Sequence, residues 1–272
     1  FVTSCDTFNP EVDIPSYIDI NIVDVVTNYN TEGTDAHNIS DVWVFVDDVS
    51  LGAYELPAHL PVLEEGVHEV KIIAGIKVNG MILNRGKYPF YAIYNENIKL
   101  EPGKAASIAP VITYYKGITF SWFEDFEAGS SMEKASASDT GIQLLSVDTS
   151  GYLGSRSAVI YLDDTRPYFE VVTSSKKFVL PRGNPIYLEL NYSCNTEFSI
   201  GIIKNTAGST VRMNPYFTVN PSAAWNKIYM DLTEVIKQQS DALTFEIYFS
   251  ALKNSQAALG YIYLDNIKLV RT

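Results

Sequence analysis

Paired like acids occur at Asp47-Asp48, Glu64-Glu65 and Asp163-Asp164. Two carboxyl groups share acid–base work on a glycosidic bond when a cleft holds them ~5–10 Å apart. Neighbours on a strand point to opposite faces, and these pairs sit where turns are expected. They read as solvated loop charges. His37, His59 and His68 are scattered and form no His-Glu-x-x-His, the spacing that presents two imidazoles to zinc from one helix face. No Gly-x-Ser-x-Gly elbow, Gly-x-Gly-x-x-Gly or Gly-x-x-x-x-Gly-Lys loop occurs. The chain therefore reads as non-enzymatic.

Binding is better served by these residue types. A sugar needs aromatic faces beside hydrogen-bonding groups on an exposed sheet or loop. The chain carries 18 Tyr and 13 Phe. Period-two reading puts Tyr187 on one outward face with Glu189, and Tyr248 on another with Glu246. Trp225 and Tyr216 flank loop-like sequence. These four are the candidate ligand-binding residues, while Trp43 and Trp122 read as packing residues.

The elements that must position them are strands. Tyr17 to Val25 alternates apolar and polar, as a half-buried strand does. Val42-Trp43-Val44-Phe45-Val46 is apolar on both faces and is expected to be interior. Asp47-Asp48 connects it to Val49–Leu56. Val67 to Val78 reads as one long strand with a bulge at Gly75, followed by an Asn79-Gly80 turn. Tyr88 to Leu100 and Ala105 to Tyr115 add further strand. After a short apolar junction the pattern restarts at Ile118-Thr119-Phe120. Residues 186–192, 198–203 and 244–249 alternate cleanly, with Leu188, Leu190, Ile200, Ile202, Ile247 and Phe249 among the expected core. Residues 231–239 are the best helix candidate, capped by Asp231 or Thr233. Many short strands with regular turns predict an all-β chain of two sandwiches. The expected division is a tether at 1–15, a sandwich at 16–117 and a second at 118–272.

Composition agrees. At 272 residues, 46% hydrophobic and 19% charged, the chain has material for two folded cores. A formal charge of −12 repels phosphate backbones, so nucleic acid is not an expected partner. No apolar run approaches the ~20 residues that span a bilayer. Cys194 lies in an alternating strand and reads as buried or half-buried. Cys5 sits in Phe1-Val2-Thr3-Ser4-Cys5-Asp6, which resembles the end of a bacterial lipoprotein signal. A polar, turn-rich stretch follows it, as a tether requires. A free cysteine, or a disulfide with Cys194, remains open at that position.

The second half opens with Trp122-Phe123-Glu124-Asp125-Phe126-Glu127-Ala128-Gly129 and closes with Tyr261-Ile262-Tyr263-Leu264-Asp265-Asn266-Ile267-Lys268-Leu269. Gly154–Leu162 and Trp225–Leu232 supply matching interior segments. Together they resemble the carbohydrate-binding, galactose-binding-like jelly rolls over about residues 120 to 270. The resemblance implies adjacent first and last strands and a domain that binds. It also implies a structural Ca²⁺ held by Glu127 and Asp265, as oxygen donors suit that ion. The alternative is that Asp265 caps a bulge and Glu127 is merely exposed. Val42 to Pro89 resembles the Ig-like or prealbumin-like modules at the front of Bacteroidetes-type envelope lipoproteins. The expectation is thus a lipoprotein anchored through Cys5 in a bacterial outer membrane, facing the cell surface and binding glycan. The alternative is an assembly subunit of an outer-membrane complex, binding protein rather than sugar.

Overall fold

Residues 13–146, 154–254 and 258–272 are described in the computed structural model; Cys5 and the anchor expected there lie outside them. Between those bounds the chain is all-β, as its patterning predicts. In Ser16–Ile20 the isoleucines Ile18 and Ile20 are buried while Tyr17 and Asp19 stay partly exposed, so alternation translates directly into one buried face.

Strands before residue 117 form a three-stranded sheet and a five-stranded sheet, with a further two-stranded pair. The first orders Ala58–Val62, Ser16–Ile20 and Ala105–Ile108. The second is built on Ile39–Val46 and the long Gly66–Lys77. Ile18, Ile20, Leu60, Val42, Val44, Val70 and Ile72 fill the space between them. Strands after residue 117 form two six-stranded sheets. One runs Gln143–Ser146, Arg156–Leu162, Gly260–Arg271, Ile186–Cys194 and Ser222–Asp231, with Thr119–Glu124 also on Gly260–Arg271. The other is centred on Tyr168–Val172, Thr244–Leu252 and Phe198–Asn205. Trp122, Leu188, Leu190, Phe198, Ile200, Ile247, Phe249, Ile262 and Leu264 share the core between these sheets. The first and last strands pair antiparallel, Trp122 opposite Leu269. No sheet among the described residues mixes strands from the two sides of residue 117.

Several local expectations need correction. Val42, Val44 and Val46 are buried, but Trp43 and Phe45 are half-exposed with the Lys87 ammonium 6.0 and 5.1 Å from their ring centres. Trp43 is therefore not a core residue, because this strand has one open face. The irregularity expected at Gly75 falls on the facing strand, between Ile39 and Asp41. Tyr88 to Leu100 becomes strand only from Tyr94. The helix is a single turn, Thr233–Lys237, with Asp231 Oδ1 accepting from Thr233 N at 2.8 Å. Asn79 and Gly80 do form the turn, with φ of 58° and 69°. Cys194 is a buried free thiol.

The halves are joined through the outer face of the sheet that contains Ile186–Cys194. All nine residues of that strand are buried. Its outward Tyr187, with Tyr229 and Val270 from neighbouring strands, belongs to the core of the front half. Val78 forms a parallel bridge to Tyr229, and Asn79 N donates to Tyr229 O at 2.8 Å.

Candidate functional site

The outer face of the sheet built from strands 156–162, 260–271, 186–194 and 222–231 has two fates along its length. Towards Tyr187 the front sandwich covers it; towards Tyr263 it stays open.

Beneath the cover lies a polar network. Glu189 is fully buried, and Lys227 Nζ stands 2.5 Å from its Oε2 without a further acceptor among the described residues. Tyr88 and Tyr114 hydroxyls donate to the same carboxylate, the second at 2.9 Å. Burial alone would raise the Glu189 carboxyl, but the charges of Lys227 and Lys268 outweigh it and hold it below the usual range. Lys268 donates to Thr34 O at 2.6 Å, and burial followed by the like charge of Lys227 pushes its ammonium down to about 7.

Two of the four expected ligand-binding residues are consumed by packing. Tyr187 meets Tyr88 and Phe90 edge-on, at ring-centre distances of 5.3 and 5.8 Å. Tyr248 lies across Gly201, where a Cβ would collide with its ring. Arg212 covers its other side at 4.0 Å, and its hydroxyl donates to Met213 O at 2.8 Å. Neither ring is an outer stacking surface. Tyr216 is exposed but sits beside the opposite sheet, edge-on to Phe217 at 4.5 Å. It shares no site with Trp225.

Trp225 does belong to a cluster. In Gly260–Arg271, Ile262 and Leu264 point into the core, so Tyr261 and Tyr263 project from the opposite face. Tyr161 pairs across from Tyr261, and Ser193 across from Tyr263. Ring centres are 5.3 Å apart for Tyr261–Tyr263 and 6.2 Å for Trp225–Tyr263. All four rings are half-exposed. Ser193, Ala223, Trp225, Tyr261 and Tyr263 line a shallow depression of about 370 Å³. The rings lie across the strands; three strand spacings separate the strands of Tyr161 and Trp225, ~14 Å. Burial, with a hydrogen bond to Tyr161, pushes the Tyr263 hydroxyl up to about 12, so it stays a neutral donor. The arrangement offers flat apolar faces ringed by hydroxyls. The sequence carried a signal for it in Tyr261-x-Tyr263, since residues two apart on a strand share a face.

The expected calcium ligands stand at one corner of this sheet. Glu127 accepts from Ser155 N at 2.6 Å and Arg156 N at 3.1 Å, as well as from the Ser155 hydroxyl, so it clamps that turn. Asp265 is 1% exposed. Its Oδ1 accepts from Asn266 N at 2.7 Å, in a bulge where Asn266 has φ of 50°. Among the described residues its Oδ2 has no hydrogen-bond partner, nor do the side-chain atoms of Asn191 and Asn266. Burial first, then the charges of Glu127 and Asp125, pushes the Asp265 carboxyl up to about 8. These orphaned oxygens fit a hard cation in kind. Among the described residues no group of three or more His, Cys, Asp or Glu side chains is positioned to hold a metal ion, and the further oxygens beside Asp265 come from the amides of Asn191, which pairs across from it, and Asn266.

No protein-family model and no curated protein matches the chain. Solved structures do. The CBM22-2 xylan-binding domain of Paenibacillus barcinonensis Xyn10C is similar at 14% identity and a TM-score of 0.40, over 56% of this chain and 99% of that one. The K3 adhesin domain of the Porphyromonas gingivalis Lys-gingipain gives 14% identity and 0.40, over 57% and 99%. A carbohydrate-binding module of the β-sandwich superfamily gives 13% and 0.39, over 96% and 99%. At such values the function rests on the chain's own residues.

Proposed function

We propose that this chain is a non-enzymatic cell-envelope lipoprotein that binds glycan through Trp225, Tyr261 and Tyr263. The supporting observation is the grouping of half-exposed rings on a stretch of this sheet's outer face away from the front sandwich. Pyranose rings present apolar C–H faces that stack on aromatic rings, while their hydroxyls take up neighbouring donors and acceptors. In this reading an Ig-like sandwich at 16–117 carries a jelly roll at 118–272, and residues 1–15 tether both to the outer membrane at the cell surface through Cys5. The anchor stands or falls on whether the native chain begins at an acylated Cys5.

A glycan array on the purified protein, followed by titration calorimetry, tests the binding. Trp225→Ala and Tyr263→Ala are each expected to weaken affinity about tenfold, or about 1.4 kcal/mol. The melting temperature should move by no more than about 2 °C, since neither ring supports the core. Retained affinity in both variants would remove the platform from the reading.

Calcium at Asp265 is part of the proposal and has its own test. The folded carboxyl titrates near 8, against an ordinary 3.8, so the folded state holds a proton the unfolded chain has lost between those values. Stability therefore falls as the pH rises through that window, and Asp265→Asn should flatten the dependence. Calcium at a hundredfold excess over its dissociation constant should restore about 2.7 kcal/mol at pH 8, reversed by EDTA. A melt indifferent to calcium and EDTA ends the metal reading and leaves the pH dependence intact.

An assembly subunit that binds protein is the second reading. Its support is the turn Met81-Ile82-Leu83, where Leu83 is 99% exposed. Absence of any glycan binding at millimolar concentration gives that reading the lead.

A further inference from the structure

A second depression, of about 380 Å³, opens where the front sandwich grips the edge of Ser222–Asp231. Asn38, Lys77, Gly80 and Ile82 line it from the front half, and Asn226 lines it from the strand, one residue along from Trp225. Its walls are fixed in place. Asn38 Nδ2 donates to Asn226 Oδ1 at 2.9 Å and to Lys227 O at 3.0 Å. Asn38 N donates to the Tyr229 hydroxyl at 3.0 Å. Gly80 has φ of 69°, and a Cβ there would press to 2.8 Å from Ile228, so only glycine lets the turn approach this closely.

The charge of this depression is opposite to that of the chain. Against 20 Lys and Arg the protein carries 32 Asp and Glu, yet among the described residues two lysines and no carboxylate line the space. Lys227 is neutralised by Glu189. Lys77 makes no ion pair among the described residues. A half-buried lysine that lines the space with the Asn226 amide, with no acid among the described lining residues, favours an anion through charge-assisted hydrogen bonds.

Resting on the glycan reading of the platform, we propose that this depression is a subsite for an anionic group on the same oligosaccharide. A carboxylate of a uronate unit and a sulfate ester share the required chemistry. The acidic remainder of the surface repels such a ligand elsewhere, which selects this seat. The front sandwich then contributes directly to specificity, by supplying Lys77 to a ligand stacked on the rear one, while Asn38 holds the wall in place.

Calorimetry on the whole protein with short gluco-, galacto- and xylo-oligosaccharides, each in neutral, uronate-bearing and sulfated form, tests the proposal. The charged form of the bound scaffold should bind about tenfold tighter than the neutral one, and added salt should shrink the difference. Whether the uronate or the sulfate gains identifies the group. Lys77→Gln should erase the difference and leave neutral binding unchanged, with the melting temperature confirming the fold. Equal wild-type affinities for neutral and charged forms, or a Lys77→Gln loss shared by both, overturn the subsite while the platform stands. If Trp225→Ala leaves neutral binding intact as well, the platform reading has failed separately. Binding by none of the three scaffolds overturns both.

Discussion

Alanine at Tyr187 and Tyr248 together should unfold the protein, or bring it close to unfolding, before any effect on ligand can be read. Both side chains are buried, at 6% and 0% exposure. Removing a large buried aromatic costs about 3–5 kcal/mol, which two sites double against a typical total stability of about 5–15 kcal/mol. Tyr187 takes with it the edge-on contacts to Tyr88 and Phe90 that seat the front sandwich. Tyr248 takes the ring that Arg212 and Gly201 enclose. The single variants should act separately, because they lie in different sheets. Urea unfolding followed by tryptophan fluorescence measures this. A double variant with unchanged stability and weakened glycan affinity would return both tyrosines to an outer binding face.

Glu189→Ala should cost about 3–5 kcal/mol, because it leaves Lys227 buried and uncompensated. It also strands the hydroxyls of Tyr88 and Tyr114, which both donate to that carboxylate. Replacing the pair together, Glu189→Leu with Lys227→Met, should recover most of the loss, since an apolar pair carries no desolvation penalty. The sign with pH follows from the depressed Glu189 carboxyl. Its contribution is complete above the ordinary carboxylate range and disappears as the pH falls through the folded value, so the apolar pair should be less acid-sensitive. Equal stability of Glu189→Ala and the wild-type protein would show that the network is solvated and the two halves are not seated as described. A Glu189→Ala variant that loses stability while the double variant loses as much would place the cost in the tyrosine hydroxyls instead.

The sequence by itself determined the all-β character and the main core residues. Alternation fixes which side chains share a face, and Leu188, Leu190, Ile200 and Ile202, expected in the core, are buried there. The resemblance carried by the aromatic-acidic opening and the Asp-Asn close implied neighbouring end strands, and these strands do pair. What it could not determine was where the opposite face meets water. Tyr187, Glu189 and Asn191 alternate like a solvated edge, yet they lie under the front sandwich, with Glu189 matched by Lys227, Tyr88 and Tyr114. Period two reports polarity, and a buried polar residue with distant partners has the same polarity as an exposed one. The same limit governed the site. Trp225 and Tyr216 stand nine positions apart in sequence, yet Tyr216 precedes a strand of the opposite sheet, while Trp225, Tyr263 and Tyr161 converge from three separate strands. Only the docking of the front half, through Tyr187, Tyr229 and Val270, decides which end of that face is covered.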